Sequence, residues 1–318
     1  MKKLLLLIVT SIVCLAAPAW GQSGPMRIVI AFPPGGPVDF VARVLAEGLS
    51  RELNQPVIVE NRPGANGGIS AQAVAKSAPD GNTLWLTSAG AVAMNPALYE
   101  ALTYDMQRDF APVSLVVNNV EVLVVNPSNP ARNAADLVAR SKQQSAPMAI
   151  ASSGIGSMPH LVMEVMADNT KANLLHVPYK GVAPAIADVM GNQVVGVFGD
   201  IPGVLGFIRG GKLKALGIAA PTRHPLLPDV PTLDEQGIHG VDSSNWYALF
   251  APAKTPPATI EQLNAAVRRA LGADPLRARL TESGAEPKPS SPAELAVLVK
   301  ADTAKWGKVI AEKKIRGD

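Results

Sequence analysis

The chain has 318 residues, of which 47% are hydrophobic, 17% charged and 4% aromatic, with a formal net charge of +3. That length suggests about two domains and an ample core, while the composition is too apolar and too weakly charged for a disordered chain. So small a net charge gives no field that argues for nucleic acid or acidic lipid as a partner.

The first segment is a secretory signal by its pattern. Met1-Lys2-Lys3 is a basic start, Leu4 to Ala17 is apolar or small apart from Thr10 and Ser11, and Ala19-Trp20-Gly21 places small residues at a cleavage site. A transmembrane anchor would need about 20 apolar residues, and this run stops short at Pro18. Ala17-Pro18-Ala19 is a second possible cut. Cys14, the single cysteine, follows Val13 where a lipoprotein site wants Gly or Ala, so it reads as apolar filler. The mature chain, expected in a bacterial periplasm, then has no disulfide and no thiolate. Without Lys2 and Lys3 it carries 27 basic against 26 acidic residues and is close to neutral. Neither metal nor cofactor is expected, and ATP and NAD are not expected in that compartment.

Strands and helices then alternate. Arg27–Phe32 is a buried strand, 33–37 a Gly/Pro loop, and Val38–Leu53 a helix with Val41, Val44, Leu45, Gly48 and Leu49 on one face. Strands follow at 56–59 and 83–87, with a glycine loop at 64–68 and a helix at 69–76 between them. Further strands are expected at 113–117, 120–125, 148–151, 174–177, 193–198, 214–219 and 244–251. Helices are expected at 134–142, from 159, at 183–190 and 204–209, and at 260–271. Ser291-Pro292-Ala293-Glu294 has the pattern of a capping box and opens a last helix. This alternation means mainly parallel α/β sheets, whose ligands sit at the carboxyl ends of strands.

Two strand-to-helix loops meet that condition, 32–37 and 151–157, and their separation suggests one in each domain. Consecutive amides around Gly35-Gly36 can form an anion nest at a helix start. Ser152, Ser153 and Ser157 add hydroxyls around Gly154 and Gly156. Both loops suit a carboxylate or phosphate, and both equally fit tight turns with Ser157 as a helix cap. Residues 32–37 lack the Gly-Lys-Ser/Thr ending of a P-loop, and Pro159 stands where a dinucleotide fingerprint wants Gly. Ser157 and His160 lie close together but not in a Gly-x-Ser-x-Gly elbow, and no His-Glu-x-x-His is present. His160 reads as a binding-loop or packing residue, His176 as structural. Asp39 either caps the first helix or lines a cleft, Asp200 is similarly ambiguous, and either can meet a ligand ammonium. Trp246-Tyr247 reads as core at an interdomain return.

The motifs Phe32-Pro33-Pro34-Gly35-Gly36-Pro37-Val38-Asp39, Glu60 to Ala65, Ala78 to Gly81, Asn95 to Tyr99, Arg108 to Val113, His176 to Gly181, Leu227 to Thr232 and Trp306 to Ile310 span nearly the whole mature chain in order. In this the chain resembles the Bug-type extracytoplasmic receptors of tripartite tricarboxylate transporters. The resemblance implies a type II periplasmic-binding-protein fold, two α/β domains with the ligand cleft between them. It implies chain crossings near 125 and 249, so that 26–125 with 250–318 form one domain and 126–249 the other. It implies a small carboxylate ligand (a di- or tricarboxylate, acidic amino acid or aromatic acid), integral-membrane transporter subunits as partners, a monomer, and no catalysis. Carried over, the first loop contributes Phe32, Pro34, Gly35, Gly36, Pro37 and Asp39, and the second Ser152, Gly154, Gly156, Ser157 and His160, with Ser88 bordering the cleft. Many relatives have an acidic-Asn pair after the Phe equivalent to Phe198, where this chain has Gly199-Asp200 on the cleft's distal side. The rival readings are an orphan periplasmic sensor and a hydrolase using Ser157 and His160.

Overall fold

A computed structural model describes residues 24–317. The signal segment and its cleavage sites lie outside the described residues. The strands are β1 Met26–Ile30, β2 Val57–Asn61, β3 Thr83–Ser88, β4 Phe110–Asn118, β5 Glu121–Val125, β6 Met148–Ser152, β7 Leu174–Pro178, β8 Gly196–Asp200, β9 Lys214–Ile218, β10 Tyr247–Pro252 and β11 Glu286–Pro287. The helices are α1 Pro37–Leu53, α2 Gly68–Ala75, α3 Asn95–Leu98, α4 Met106–Asp109, α5 Ala134–Lys142, α6 Met158–Thr170, α7 Val182–Met190, α8 Ile201–Arg209, α9 Pro257–Gly272, α10 Asp274–Ser283 and α11 Pro292–Lys313.

These elements form two sheets, ordered β11-β4-β10-β3-β1-β2 and β7-β6-β8-β5-β9. In each, three parallel strands carry the first βαβ connections: β2, β1 and β3 in one, β7, β6 and β8 in the other. Beside each trio lies an antiparallel strand delivered by the other half of the chain. β10 pairs with β3 and β4, and β5 pairs with β8 and β9. This is the two-domain, type II binding-protein arrangement. The pairing moves the expected crossings. Val120–Val125 was assigned to the first domain, but Glu121–Val125 is an interior strand of the second sheet. Likewise Tyr247 is already in register with Ser88 of the first sheet. The chain therefore passes between sheets at 119–120 and 242–246. The two passes bond to each other, Asn119 N–H to Asn245 O at 3.2 Å and Asn245 N–H to Asn119 O at 2.9 Å.

Helix α1 buries the face its sequence indicates, including Val41, Val44, Leu45, Gly48 and Leu49, and stops where Asn54 takes a left-handed conformation (φ 48°). The capping box forms, with the Ser291 hydroxyl receiving the Glu294 amide and the Glu294 carboxylate receiving the Ser291 amide. Helix α10 has no counterpart among the sequence-based elements. Its buried side chains are only Leu276 and Leu280, too few to show a period. One core cluster lies between α1, α9 and the first sheet, and another between α7, α8 and the second. A third is continuous across both, from Trp85 through Trp246 and Trp306 to Leu161 and Phe198. Trp246 is core, as its sequence position suggested. Its indole N–H donates to Asp302 of α11 at 2.6 Å, tying the return crossing to that helix. Among the described residues no helix is long and apolar enough to cross a membrane.

Gly48 sets how closely α1 meets α9: a Cβ there would lie 2.8 Å from the Ala270 Cβ. Gly48→Val should cost about 1–3 kcal/mol by overpacking, read as a lower urea midpoint. An unchanged midpoint would mean that the two helices separate freely.

Candidate ligand-binding cleft

Between the domains is a narrow cavity, lined from the first domain by Phe32, Pro33, Gly36, Pro37, Val38 and Ser88, and from the second by residues of three segments, Ser153 with Ser157–Pro159, Gly181–Ala183, and Asp200. Asn245 and Tyr247 of the return crossing form its floor. Its free volume is about 20 Å³, room for about one water.

Four helices start at this cavity; α8 begins at the charged Asp200, and the positive ends belong to the other three. Gly36 is the N-cap of α1, Ser157 of α6 and Gly181 of α7, and all three line the cavity. The first-turn amides of a helix have no intrahelical acceptor. Here those are Val38 and Asp39 in α1, Met158 and His160 in α6, and Val182 and Ala183 in α7. Pro37 and Pro159 occupy first-turn positions at no cost in hydrogen bonds. Three positive dipole ends thus meet in one cavity, which suits an anion without a cationic side chain.

Six of the expected site residues line this cavity: Phe32, Gly36, Pro37, Ser88, Ser157 and Asp200. The others stand behind them. Pro34 and Gly35 shape the first loop, and Gly35 needs its glycine because φ is +83°. Gly36, at φ −85°, has no such need. Asp39 is engaged internally. Its carboxylate receives Arg43 Nε and Nη2, each at 2.9 Å, Asn61 Nδ2 at 2.9 Å and the Gly35 amide at 3.1 Å. Asn61 also donates to Phe32 O at 3.0 Å, so Asp39 braces the loop from below. Burial alone would raise its pKa; the bonds from Arg43, Asn61 and Gly35 outweigh that and hold it below the ordinary value.

The second loop is braced in the same way. His160 accepts the Gly156 amide on Nδ1 at 3.1 Å, and its ring stacks on His176 at 3.7 Å between centroids. His176 Nε2 meets Ser152 Oγ at 2.6 Å. Burial, and then the nearness of His160, push the His176 pKa down to about 3, so that ring is neutral at physiological pH. Ser152 Oγ also receives the Gly154 amide at 3.1 Å. Gly156 (φ +77°) brings the loop against the first domain, where a Cβ would be 3.2 Å from Asn66 Nδ2. Gly154 faces an adjoining groove with Asn66 and Tyr99. Ser157 Oγ donates to Gly154 O at 2.7 Å, so it is not paired with His160.

Sequence reasoning passed over Gly181–Ala183, Asn245 and the cleft-facing side of Tyr247. The first had a signal: Gly181 closes the His176–Gly181 motif just ahead of a helix, a third strand–glycine–helix loop. Asn245 and Tyr247 had none, because only the crossing brings them under the cavity. There Tyr247 donates its hydroxyl to Asp200 Oδ2. Asn245 Nδ2 donates to Asp200 Oδ1 at 2.8 Å and to Glu121 Oε1 at 3.0 Å. Burial first, then the Asp200 charge, drive the Glu121 pKa well up. Burial pushes Asp200 up to about 6 against the bonds from Tyr247, Asn245 and Glu121. Near neutral pH the two buried carboxyls therefore share a proton.

Residues 41–315 match the tripartite tricarboxylate transporter family receptors, TctC. The chain belongs to the TctC family. Three solved structures show the same fold. MatC (Rpa3494) from Rhodopseudomonas palustris with bound malate is 33% identical, covering 91% of this chain and 99% of that one at a TM-score of 0.86. R. palustris Rpa4515 with adipate is 32% identical, covering 93% and 99% at 0.90. The periplasmic binding protein BugD is 32% identical, covering 92% and 99% at 0.88. Of these three neighbours, one is a periplasmic binding protein and the other two were solved with carboxylates.

Asp39→Asn in this TctC chain should lower stability at pH 7 by about 1–3 kcal/mol, the worth of hydrogen bonds to a charged group. Because the folded pKa is below the ordinary 3.8, that contribution is present above 3.8 and is lost as pH falls through the folded value. Thermal melts from pH 7 to pH 3 should therefore converge for variant and wild type. A gap that stays constant would rule out the charged brace.

Proposed function

We propose that this protein is a periplasmic receptor that captures a small carboxylate for a tripartite tricarboxylate-type transporter. The observation that carries this reading is the meeting of three helix N-termini in a cavity that no cationic side chain lines among the described residues. A hydrogen bond to a charged group contributes roughly 1.5–3 kcal/mol. Three or four such bonds approach the roughly 8 kcal/mol of a micromolar complex. The malate and adipate of the neighbours are of the same chemical class. The amides and hydroxyls serving the ligand are those of Gly36, Val38 and Met158, with Ser88 and Ser153 beside them, while Ser157, Asp39 and His160 hold the loops in place.

Closure of the two domains completes the site in this reading. A Cβ on Gly181 would stand 2.9 Å from Pro33 Cδ, so the first loop closes directly onto the start of α7. The hydrolase alternative finds no support in the geometry: Ser157 donates to a backbone carbonyl and His160 accepts a backbone amide, so nucleophile and base are not joined. An orphan sensor would share the cleft and differ only in its partner. Uptake of the bound acid by cells lacking the receptor separates the two, since a transport receptor is needed for uptake and a sensor is not.

Gly36→Val should abolish binding of malate and adipate in calorimetry, with at least a hundredfold loss, and leave the ligand-free melting temperature unchanged. A Cβ there meets nothing nearer than Pro33 O at 3.8 Å, so the added bulk enters the cavity and spares the fold. Undiminished affinity would remove this loop from the site. Gly181→Ala, strained by its φ of +128° as well as crowded by Pro33, should lower the ligand-free melting temperature, keep ligand-free scattering unchanged and prevent the ligand-induced drop in radius of gyration. A normal drop would show that closure does not bring Pro33 onto α7.

A further inference from the structure

Asp200 is the one charged side chain lining the cavity among the described residues. It stands at the N-cap of α8, with no side-chain cap bond of its own, so its carboxylate is not spent on the helix. It cannot swing away, because Tyr247 holds Oδ2 and Asn245 holds Oδ1. A carboxylate has about four acceptor positions; Tyr247 and Asn245 occupy one on each oxygen and the Glu121 carboxyl a third, which leaves one open. The preceding position cannot serve instead. A Cβ on Gly199 would lie 3.0 Å from Val204 Cγ1 and 3.2 Å from Val182 Cγ2, on the packed side of β8, so the acid at 200 is the one on the cleft side. Glu121 behind it shares a proton with it, and among the described residues no Lys or Arg lines the cavity to offset the charge that remains.

A cavity with three positive dipole ends and one fixed carboxylate is bipolar. A ligand carboxylate belongs at the helix ends and is repelled by Asp200. A second ligand carboxylate placed near Asp200 would add like charge in a site of low dielectric. An ammonium there brings opposite charge and a donor to the acceptor position left open. We propose that Asp200 makes the cleft select carboxylates that also carry an ammonium group, that is, small amino acids, over the same acids without it. This rests on the carboxylate-receptor reading above and names the ligand class within it.

The test is calorimetry at pH 7.5 with matched pairs: glycine and acetate, L-alanine and propionate, L-aspartate and succinate, L-glutamate and glutarate, L-aminoadipate and adipate. Within the pairs that bind, the amino acid should bind at least about tenfold tighter, a difference of about 1.4 kcal/mol. Asp200→Asn keeps the size and the acceptor for Tyr247, and should erase that preference by weakening the amino acid alone, leaving the plain acid unchanged or tighter. Tyr247→Phe retains the charge and should retain the preference. Plain acids binding as well as their amino partners, or Asp200→Asn weakening both members of a pair alike, would overturn the assignment and leave Asp200 a hinge residue. Should the Asn variant fail to fold, the wild-type pairs decide by themselves. Tight binding of plain acids sinks this inference only; no binding by any acid, malate included, sinks the receptor reading with it.

Discussion

An anion taken out of water must be met by partial or full positive charge, and in the proposed site this chain offers it without a cationic side chain among the residues lining the cleft. Everything else in the cleft serves that constraint. The partial charges are backbone amides, which are available only where helices begin. Three helices must therefore start at one place, and each must follow a strand whose carboxyl end faces that place. The parallel trios β2-β1-β3 and β7-β6-β8 supply those strands. The loops between strand and helix have to be tight, because a dipole end acts only within about its first turn.

Amides hold an anion only when they are held still. That work falls to side chains whose chemistry makes them look like ligand contacts. Asp39 has the charge of a binding residue, yet its oxygens are occupied by Arg43, Asn61 and Gly35. His160 has the chemistry of a base, yet its Nδ1 receives the Gly156 amide. Neutral His176 continues the same brace to Ser152. Polar residues near a binding loop are thus divided between those that face the ligand and those that fix the loop. The division depends on which side of the backbone a side chain leaves.

The two crossings add a second constraint. Antiparallel strands β5 and β10 are each donated by the crossing chain, so the junctions at 119–120 and 242–246 lie side by side beneath the cleft. Groups that serve the hinge therefore also form the floor of the site. Glu121, Asp200, Asn245 and Tyr247 illustrate this, since Tyr247 belongs to one sheet and Asp200 to the other. Burial without a countercharge requires that Glu121 and Asp200 share a proton. The resulting polarity, dipole ends above and a carboxylate below, follows from the topology rather than from any one loop.

Local sequence alone determined much of this molecule. Periodicity located α1 and α9, the strand runs of both sheets, the capping box at Ser291 and the two glycine loops, because each of these depends on neighbours within a few residues. The ordered motifs from Phe32 to Ile310 carried the family. Tertiary structure decided the rest. The periodic signal of β5 is the same whichever sheet accepts it, so only strand pairing could show that Glu121–Val125 belongs to the second. Asp39 and Asp200 are alike as carboxyl groups next to helix starts. Packing turned the first toward Arg43 and the second toward the cavity. Tyr247 reads as core from sequence and is core, but its hydroxyl reaches the cleft because the return crossing passes beneath it. Side-chain direction at a crossing is fixed by contacts between residues 45 to 124 positions apart, and no local pattern encodes those.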